Sequence, residues 1–263
     1  MNKKDRPKPG KPGTHGRRKR DEFGSSSDEF RERETAKKIA DWIPKTDLGK
    51  KVKNGEVASL DYLFDHSLKV LEPEIIDVLL PNAMEKMIEF KKTARVVRSG
   101  RQFSYRATVL VGNAHGFVGI GTASDRERVP ALAKAARRAK LNLVRVYRGC
   151  GSWECICGLG HSIPFAMSGK CGSVKIRLMP APKGIGLVVG EHLKDVLRFA
   201  GISDVWSISK GRSRTSLNFV KSCVNALERG TRMRMSKEIE NKIAKLETKA
   251  LGVDKHDAGS DSD

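Results

Sequence analysis

The run Lys91-Lys92-Thr93-Ala94-Arg95-Val96-Val97-Arg98-Ser99-Gly100-Arg101-Gln102-Phe103-Ser104-Tyr105-Arg106-Ala107-Thr108-Val109-Leu110-Val111-Gly112-Asn113 decides the fold. β-Branched and aromatic residues alternate with polar ones on either side of Ser99-Gly100, which predicts two strands joined by a tight turn. Gly112-Asn113 marks a second turn, and Phe117-Val118-Gly119-Ile120-Gly121 reads as a third, shorter strand. Val129 to Val144 then reads as a helix, with Leu132, Ala135, Ala136, Ala139 and Leu143 on one face at helical spacing. That face is mostly alanine, so the helix can lie close against a sheet. Residues 91–149 are therefore expected to form a β-β-β-α unit.

The same stretch is strongly basic, and its only acids are Asp125 and Glu127. A folded surface this positive repels itself unless a polyanion covers it, and RNA is the commonest such partner. The chain as a whole has 263 residues, 51 Lys and Arg against 31 Asp and Glu, and a formal charge of +20. That length suits about two small domains with tails. No apolar run approaches the roughly 20 residues that span a bilayer. The basic strands also lack the large apolar face of a membrane-surface helix, so no membrane partner is expected. The N-terminus has no apolar stretch behind its charges and does not read as a secretory signal. Five cysteines, four of them clustered, do not make a disulfide framework at this length, which points to a reducing, cytoplasmic setting.

Outside the central unit, residues 1–30 are Lys, Arg, Pro, Gly and Ser with almost nothing apolar, and are expected to be a disordered basic tail. Residues 31–90 read as a helical arm. In it, Phe30 to Trp42 is a short helix stopped by Pro44, and a loop carries Lys45, Lys50, Lys51 and Lys53. Ser59 caps a second helix bearing Leu60, Leu63 and Phe64, and Glu72-Pro73-Glu74 opens a third with Ile75, Ile76, Leu79 and Leu80. Residues 150–230 read as an α/β unit in the order β-β-α-β-α. Its first two strands are Ser162 to Ala166 and Ser173 to Met179, paired around Gly169-Lys170. Leu193, Val196, Leu197 and Ala200 mark a helix, Val205 to Ser209 a strand, and Thr215 to Glu228 a last helix. Residues 231–263 supply a C-terminal helix and an acidic tail. The fold class is α+β.

Phosphate-binding candidates follow from charge and turn geometry. Arg95, Arg98, Arg101 and Arg106 flank or follow the tight turn, and Lys134, Arg137 and Arg138 lie off the alanine face of the helix. Gly211-Arg212-Ser213-Arg214-Thr215 precedes a helix, so Arg212 and Arg214 could anchor a second RNA segment, with Ser213 or Thr215 as a plain cap. A nucleotide reading fails, because Ser168-Gly169-Lys170-Cys171 has Pro164 where a P-loop needs its first glycine.

Cys150, Cys155, Cys157, His161 and Cys171 offer soft ligands within a short span that could hold a structural zinc. The spacing lacks two separated Cys-x-x-Cys knuckles, and reduced buried or turn cysteines are the plainer alternative. The deaminase pattern is absent. A cysteine nucleophile using His161 as base lacks a visible orienting group. No enzyme activity is expected, and no cofactor is required.

Further motifs point to a family. Gly100-Arg101-x-Phe103, Val109-Leu110-Val111-Gly112-Asn113, Gly119-Ile120-Gly121 and Ala139-Lys140-Leu141-Asn142-Leu143 come first. Arg148-Gly149-Cys150-Gly151-Ser152-Trp153-Glu154-Cys155, His161-Ser162-Ile163-Pro164-Phe165 and Gly169-Lys170-Cys171-Gly172-Ser173-Val174 follow. Pro180-Ala181-Pro182-Lys183-Gly184-Ile185-Gly186-Leu187-Val188 and Ala200-Gly201-Ile202-x-Asp204-Val205-Trp206 complete the order. With Trp42-Ile43-Pro44-Lys45-Thr46 and Leu71-Glu72-Pro73-Glu74-Ile75 ahead of them, they resemble the universal small-subunit ribosomal protein number five, in its archaeal and eukaryotic form, from about Asp41 to Gly230. The resemblance implies a double-stranded-RNA-binding-like domain followed by a C-terminal α/β domain. It also implies a structural place in the small subunit of the cytoplasmic ribosome, bound to rRNA near the channel through which messenger RNA enters. The fourth and eighth small-subunit proteins would be neighbours, and the Arg98 to Phe103 hairpin would lie near the rRNA that moves in decoding, supporting accuracy. Where family members carry a basic residue after the second glycine, this chain has Thr122-Ala123-Ser124-Asp125. Eukaryotic members lack most of the clustered cysteines, so a metal is not essential to the family's role. The alternative from the residues alone is a free-standing double-stranded-RNA-binding regulator.

Overall fold

The computed structural model describes residues 42–57, 59–155, 157 and 159–233. The expected basic tail, the helix ending at Trp42 and the C-terminal helix with its acidic tail lie outside the described residues.

Three short helices come first: α1 (Asp47–Lys53), α2 (Leu60–Asp65) and α3 (Pro73–Leu79). The lysine-rich stretch expected to be a loop is α1. Thr46 caps it, its Oγ1 accepting from the Gly49 amide at 3.1 Å, and Asp47 and the lysines sit at the ends that suit the helix dipole. The Glu72 carboxylate ties α1 to α3 by accepting from the amides of Lys45 (3.0 Å) and Thr46 (2.6 Å). Ser59 stands at the start of α2 but makes no capping hydrogen bond. Pro73 occupies the first turn of α3, as expected, and Ile75 and Ile76 are fully buried.

The β-β-β-α unit forms as β1 (Met84–Val97), β2 (Gly100–Gly112), β3 (Phe117–Asp125) and α4 (Arg128–Leu141). A fourth strand, β4 (Leu143–Arg145), pairs with β3, so the sheet order is β1-β2-β3-β4 with every pair antiparallel. The helix expected to run on to Val144 ends at Leu141, because Leu143 and Val144 pair with Gly119 and Val118 instead. Both faces of β2 are covered near its C-terminal end. Ala107, Val109 and Val111 pack with Ala131, Ala135 and Ala139 of α4, while Leu110 joins Val118, Ile120 and Val146 in the larger core.

The second sheet contains β5 (Met167–Cys171), β6 (Val174–Pro180), β7 (Leu187–Val188) and β8 (Val205–Lys210) in the order β5-β6-β8-β7. Helices α5 (Glu191–Phe199) and α6 (Ser216–Thr231) accompany it. Ser162 to Ala166 is not a strand; only a lone bridge joins Ser162 to Gly149. Gly169 and Lys170 lie inside β5, and the hairpin turn falls at Gly172-Ser173. Gly169 reads as a turn residue in sequence, but its role is close packing: a Cβ there would overlap the Ser222 carbonyl oxygen of α6. Strand β7, too short to read from sequence, pairs parallel with β8. The core of this half (Ile163, Val174, Ile176, Leu178, Leu193, Leu197, Val220 and Leu227) is continuous with Leu110, Val118 and Ile120 of the first sheet.

Lys140, on the same helix as the exposed Arg137 and Arg138, does not point outward. Its side chain is 15% exposed and pairs with Asp77 of α3 at 2.7 Å and Glu85 of β1 at 3.0 Å. Burial by itself lowers its pKa, but the two carboxylates outweigh burial and hold the ammonium above its ordinary 10.5. A folded pKa above the unfolded one gives stability that is fully present below pH 10.5 and is lost as pH rises through the folded value. Lys140→Met is expected to cost about 2 kcal/mol at neutral pH by stranding two carboxylates. It should also remove the steep alkaline loss. Thermal melts of both proteins across that range check it, and identical alkaline limbs would refute the ion-pair account.

Candidate nucleic-acid interface

Beyond its last pairing with β3 (Tyr105 opposite Asp125), β2 continues with β1 alone as a two-stranded arm, from Thr93 opposite Ser104 to Val97 opposite Gly100. At about 3.3 Å per residue the arm projects roughly 17 Å past the sheet. Gly100 closes its tip at φ +110°, a backbone region that side-chain-bearing residues seldom adopt. A two-stranded ribbon is marginally stable alone in water, so an arm this long gains from a partner surface. Thr93 and Ser104 share a side-chain hydrogen bond at 2.7 Å near its base, and the Lys92 ammonium lies 3.9 Å over the Phe103 ring.

The four predicted arginines are all on this hairpin and all exposed. Residues directly opposite one another share a face. Arg106 (opposite Lys91) and Arg95 (opposite Gln102) therefore lie on the face of Leu110, whereas Arg101 (opposite Val96) lies on the α4 face with Phe103. Arg98 sits in the turn itself. Among the described residues none of the four has an acidic partner. Cations on both faces of a thin ribbon suit insertion between two phosphate backbones better than docking on one flat surface.

The α4 cations are less uniform. Arg137 is exposed; the Arg138 guanidinium donates to the Thr122 carbonyl at 2.8 Å; Lys134 lies 3.7 Å from Asp125. Arg126 and Arg128, which follow the acid-bearing end of β3, divide too: Arg126 is exposed, and the Arg128 guanidinium sits 5.0 Å over the Phe90 ring. Arg212 and Arg214 are exposed in the loop between β8 and α6. Neither Ser213 nor Thr215 caps α6, and the Thr215 hydroxyl donates to the Arg212 carbonyl at 2.8 Å instead. Ser216, the first residue of α6, donates to the Glu89 carboxylate of β1, which also pairs with Lys91 at 2.6 Å. The root of the arm and the Arg212–Arg214 loop are thereby adjacent. Burial raises the Glu89 pKa, but the bonds from Lys91 and Ser216 outweigh it and hold the carboxyl below 4.5.

Sequence reasoning missed a second basic surface. Lys170, Lys175 and Lys210 align across β5, β6 and β8, with Arg177 two residues along β6 from Lys175. All four are exposed on the sheet face opposite the helices, and Arg229 reaches its edge by donating to the Ser168 carbonyl at 3.4 Å. They line a shallow recess of about 380 Å³ with Ile208. The signal was present in Val174-Lys175-Ile176-Arg177-Leu178, where every second residue is a cation. It reads as ordinary strand alternation until the outer face proves uncovered.

One group of soft ligands converges. The donor atoms of Cys150, Cys155, Cys157 and His161 all lie within 4.8 Å of one another. Cys171 is not among them; β5 carries it to α6, where its sulfur faces Asn218 Oδ1 at 4.0 Å. The orienting group not visible in sequence is Asp204, whose Oδ2 lies 2.7 Å from His161 Nδ1. The crowded thiols diverge: burial and then the neighbouring Cys157 and Cys155 push Cys150 up to about 12, while hydrogen bonds from Cys157 and the Lys183 backbone draw Cys155 down to about 6. Burial alone pushes the core thiol Cys223 up to about 12.

No helix among the described residues is long and apolar enough to cross a membrane. Residues 83–147 match the family described as ribosomal protein S5, N-terminal domain, and residues 169–242 match ribosomal protein S5, C-terminal domain. The chain is 46% identical over 213 residues to the small ribosomal subunit protein uS5 of Methanocaldococcus jannaschii, covering 81% of this chain and 98% of that protein. It is 51% identical over 186 residues to the uS5 protein of Staphylothermus marinus, covering 71% and 87%. It is 50% identical over 186 residues to that of Methanococcus maripaludis strain C7, covering 71% and 81%. With both domain signatures in order and alignment over most of each chain to proteins of this name, the chain belongs to the ribosomal protein S5 family, in its archaeal form.

Proposed function

We propose that this chain is a structural, rRNA-binding constituent of the small ribosomal subunit. It acts there as positioned charge and shape and performs no catalysis. The observation that carries this reading is the projecting hairpin, whose Arg95, Arg98, Arg101 and Arg106 have no acidic partners among the described residues. Unpaired cations on a folded protein are favourable where a polyanion neutralises them. Arg137, Arg138 and Lys134 extend the contact along α4. Arg212 and Arg214, with Lys170, Lys175, Arg177 and Lys210, hold a second RNA segment. Residues 91–149 and 150–230 serve as the two RNA-binding units. In the assembled cytoplasmic particle the hairpin lies beside the rRNA that moves in decoding, near the channel through which messenger RNA enters. The fourth and eighth small-subunit proteins are its neighbours. Its contribution to translational accuracy follows from stiffening that region. No cofactor is required for this role.

Sedimentation of cell extract tests the assignment. The chain is expected almost entirely in the small-subunit peak, moving to the top of the gradient after nuclease digestion. A large pool at the top in untreated extract would instead favour the free-standing double-stranded-RNA-binding regulator.

A further inference from the structure

We infer that Cys150, Cys155, Cys157 and His161 form a closed structural zinc site that fastens the segment joining the two sheets. This rests on geometry and is independent of the RNA footprint. A tetrahedral zinc with sulfur at about 2.3 Å places its donor atoms about 3.8 Å apart. Here the four donors lie within 4.8 Å of one another, and Cys155 Sγ is already 3.7 Å from His161 Nε2. Only a small contraction separates this arrangement from a bound tetrahedron.

The surroundings are those of a metal-bound histidine. Zinc-ligating imidazoles hand their second ring nitrogen to a carboxylate or carbonyl, which fixes the tautomer and aims the lone pair. His161 Nδ1 meets Asp204 Oδ2 at 2.7 Å, with the two side chains 8% and 6% exposed. Asp204 is itself held, since its Oδ1 accepts from the amides of Gly186 at 2.8 Å and Gly184 at 3.2 Å. With Nδ1 donating to Asp204, Nε2 is left as an acceptor pointing at the thiols. In the bound site all three sulfurs are thiolates, whatever thiol protons remain pass to solvent, and His161 binds as the neutral imidazole.

Two other readings use the cluster less completely. Three cysteines cannot all pair in disulfides, and all three are free thiols. A Cys155–His161–Asp204 nucleophilic triad would leave Cys150 and Cys157 with no task at the same point. Zinc employs all four donors and leaves no open position, as structural sites do. The location fits a fastening role. Between β4 and β5 the chain is held by the Gly149–Ser162 bridge and by Gly151 donating to Ile163 at 3.2 Å. The zinc would tie this segment through Asp204 to the start of β8.

The test uses the full-length chain, purified from zinc-containing medium without chelator. Elemental analysis is expected to find about one zinc per chain. Exchange with cobalt should give the intense visible bands of a tetrahedral, thiolate-bound ion. The double variant Cys155→Ser, Cys157→Ser should lose the zinc, and Cys171→Ser should retain it. If the double variant does not fold, Asp204→Asn serves instead. It leaves the four ligands in place and should weaken zinc affinity in a chelator competition about 10- to 100-fold. A folded natural chain with no zinc and no cobalt spectrum would overturn the site, as would zinc that Cys171→Ser loses. Retained zinc with lost rRNA binding would support the site while removing the proposed footprint, so the two failures are distinguishable.

Discussion

Gly121→Val and Gly169→Val are each expected to lower stability by about 3 kcal/mol or more, at or above the upper end of ordinary overpacking. Both glycines sit under a helix. A Cβ on Gly121 would overlap the Ala135 carbonyl oxygen and the Ala139 amide nitrogen of α4, and one on Gly169 would overlap the Ser222 carbonyl and Ala226 amide of α6. A clash with a flexible side chain relaxes by rotation. A clash with helix backbone relaxes only if the helix lifts, and lifting α4 opens the packing of Ala131, Ala135 and Ala139, all fully buried, against β2. Urea unfolding of each variant measures the effect. A midpoint within experimental scatter of the natural chain would show that helix and sheet do not pack this closely.

Neutralising the arm is the second large effect. Replacing Arg95, Arg98, Arg101 and Arg106 with glutamine should weaken rRNA binding at moderate salt by roughly two orders of magnitude or more. The slope of log affinity against log salt should fall by about 0.7–0.9 for each phosphate that is no longer neutralised. Arg98→Gln with Arg101→Gln alone should flatten the slope by less than about 2, in keeping with two phosphates. Lys175→Gln with Arg177→Gln on the second sheet should lower affinity as well, by the same counterion-release mechanism. Stability should change little in all of these, because the side chains are exposed and lack acidic partners among the described residues. An unchanged salt slope in the quadruple variant would remove the hairpin from the footprint, whatever the affinity does.

Much of the central unit is legible in the chain. Alternation around Ser99-Gly100 and Gly112-Asn113 locates β1 and β2, and the small-residue face of α4 announces a close helix–sheet contact. The arm's length is less visible, because alternation continues unbroken from the part of β2 that is covered into the part that is not. Strand β4 is hidden by the helical spacing of Leu143 with Ala139, which a longer helix satisfies equally well. Ser162 to Ala166 has strand composition but only one bridging partner, at Gly149. Three-residue and two-residue strands such as β4 and β7 carry too little pattern to be read, since their pairing energy comes from the neighbour.

The α+β class, the broad sequence of strands and helices, the excess of cations and the family can all be read without coordinates. These depend on local period, on turn residues and on motif order, which are properties of neighbours along the chain. Which cations remain available is a different matter, and three-dimensional packing settles it. Lys140 looks equivalent to Arg137 in sequence, yet it is taken by Asp77 and Glu85 while Arg137 stays exposed. The same holds for the soft ligands. Cys171 follows the clustered thiols closely in the chain and has the same chemistry, yet β5 carries it away to Asn218 of α6. His161 instead turns inward to meet Cys150, Cys155 and Cys157. Its Nδ1 is held by Asp204, 43 residues away. Partnership between distant residues is set by how helices, strands and loops pack in three dimensions, and packing is a sum over contacts that no local pattern encodes.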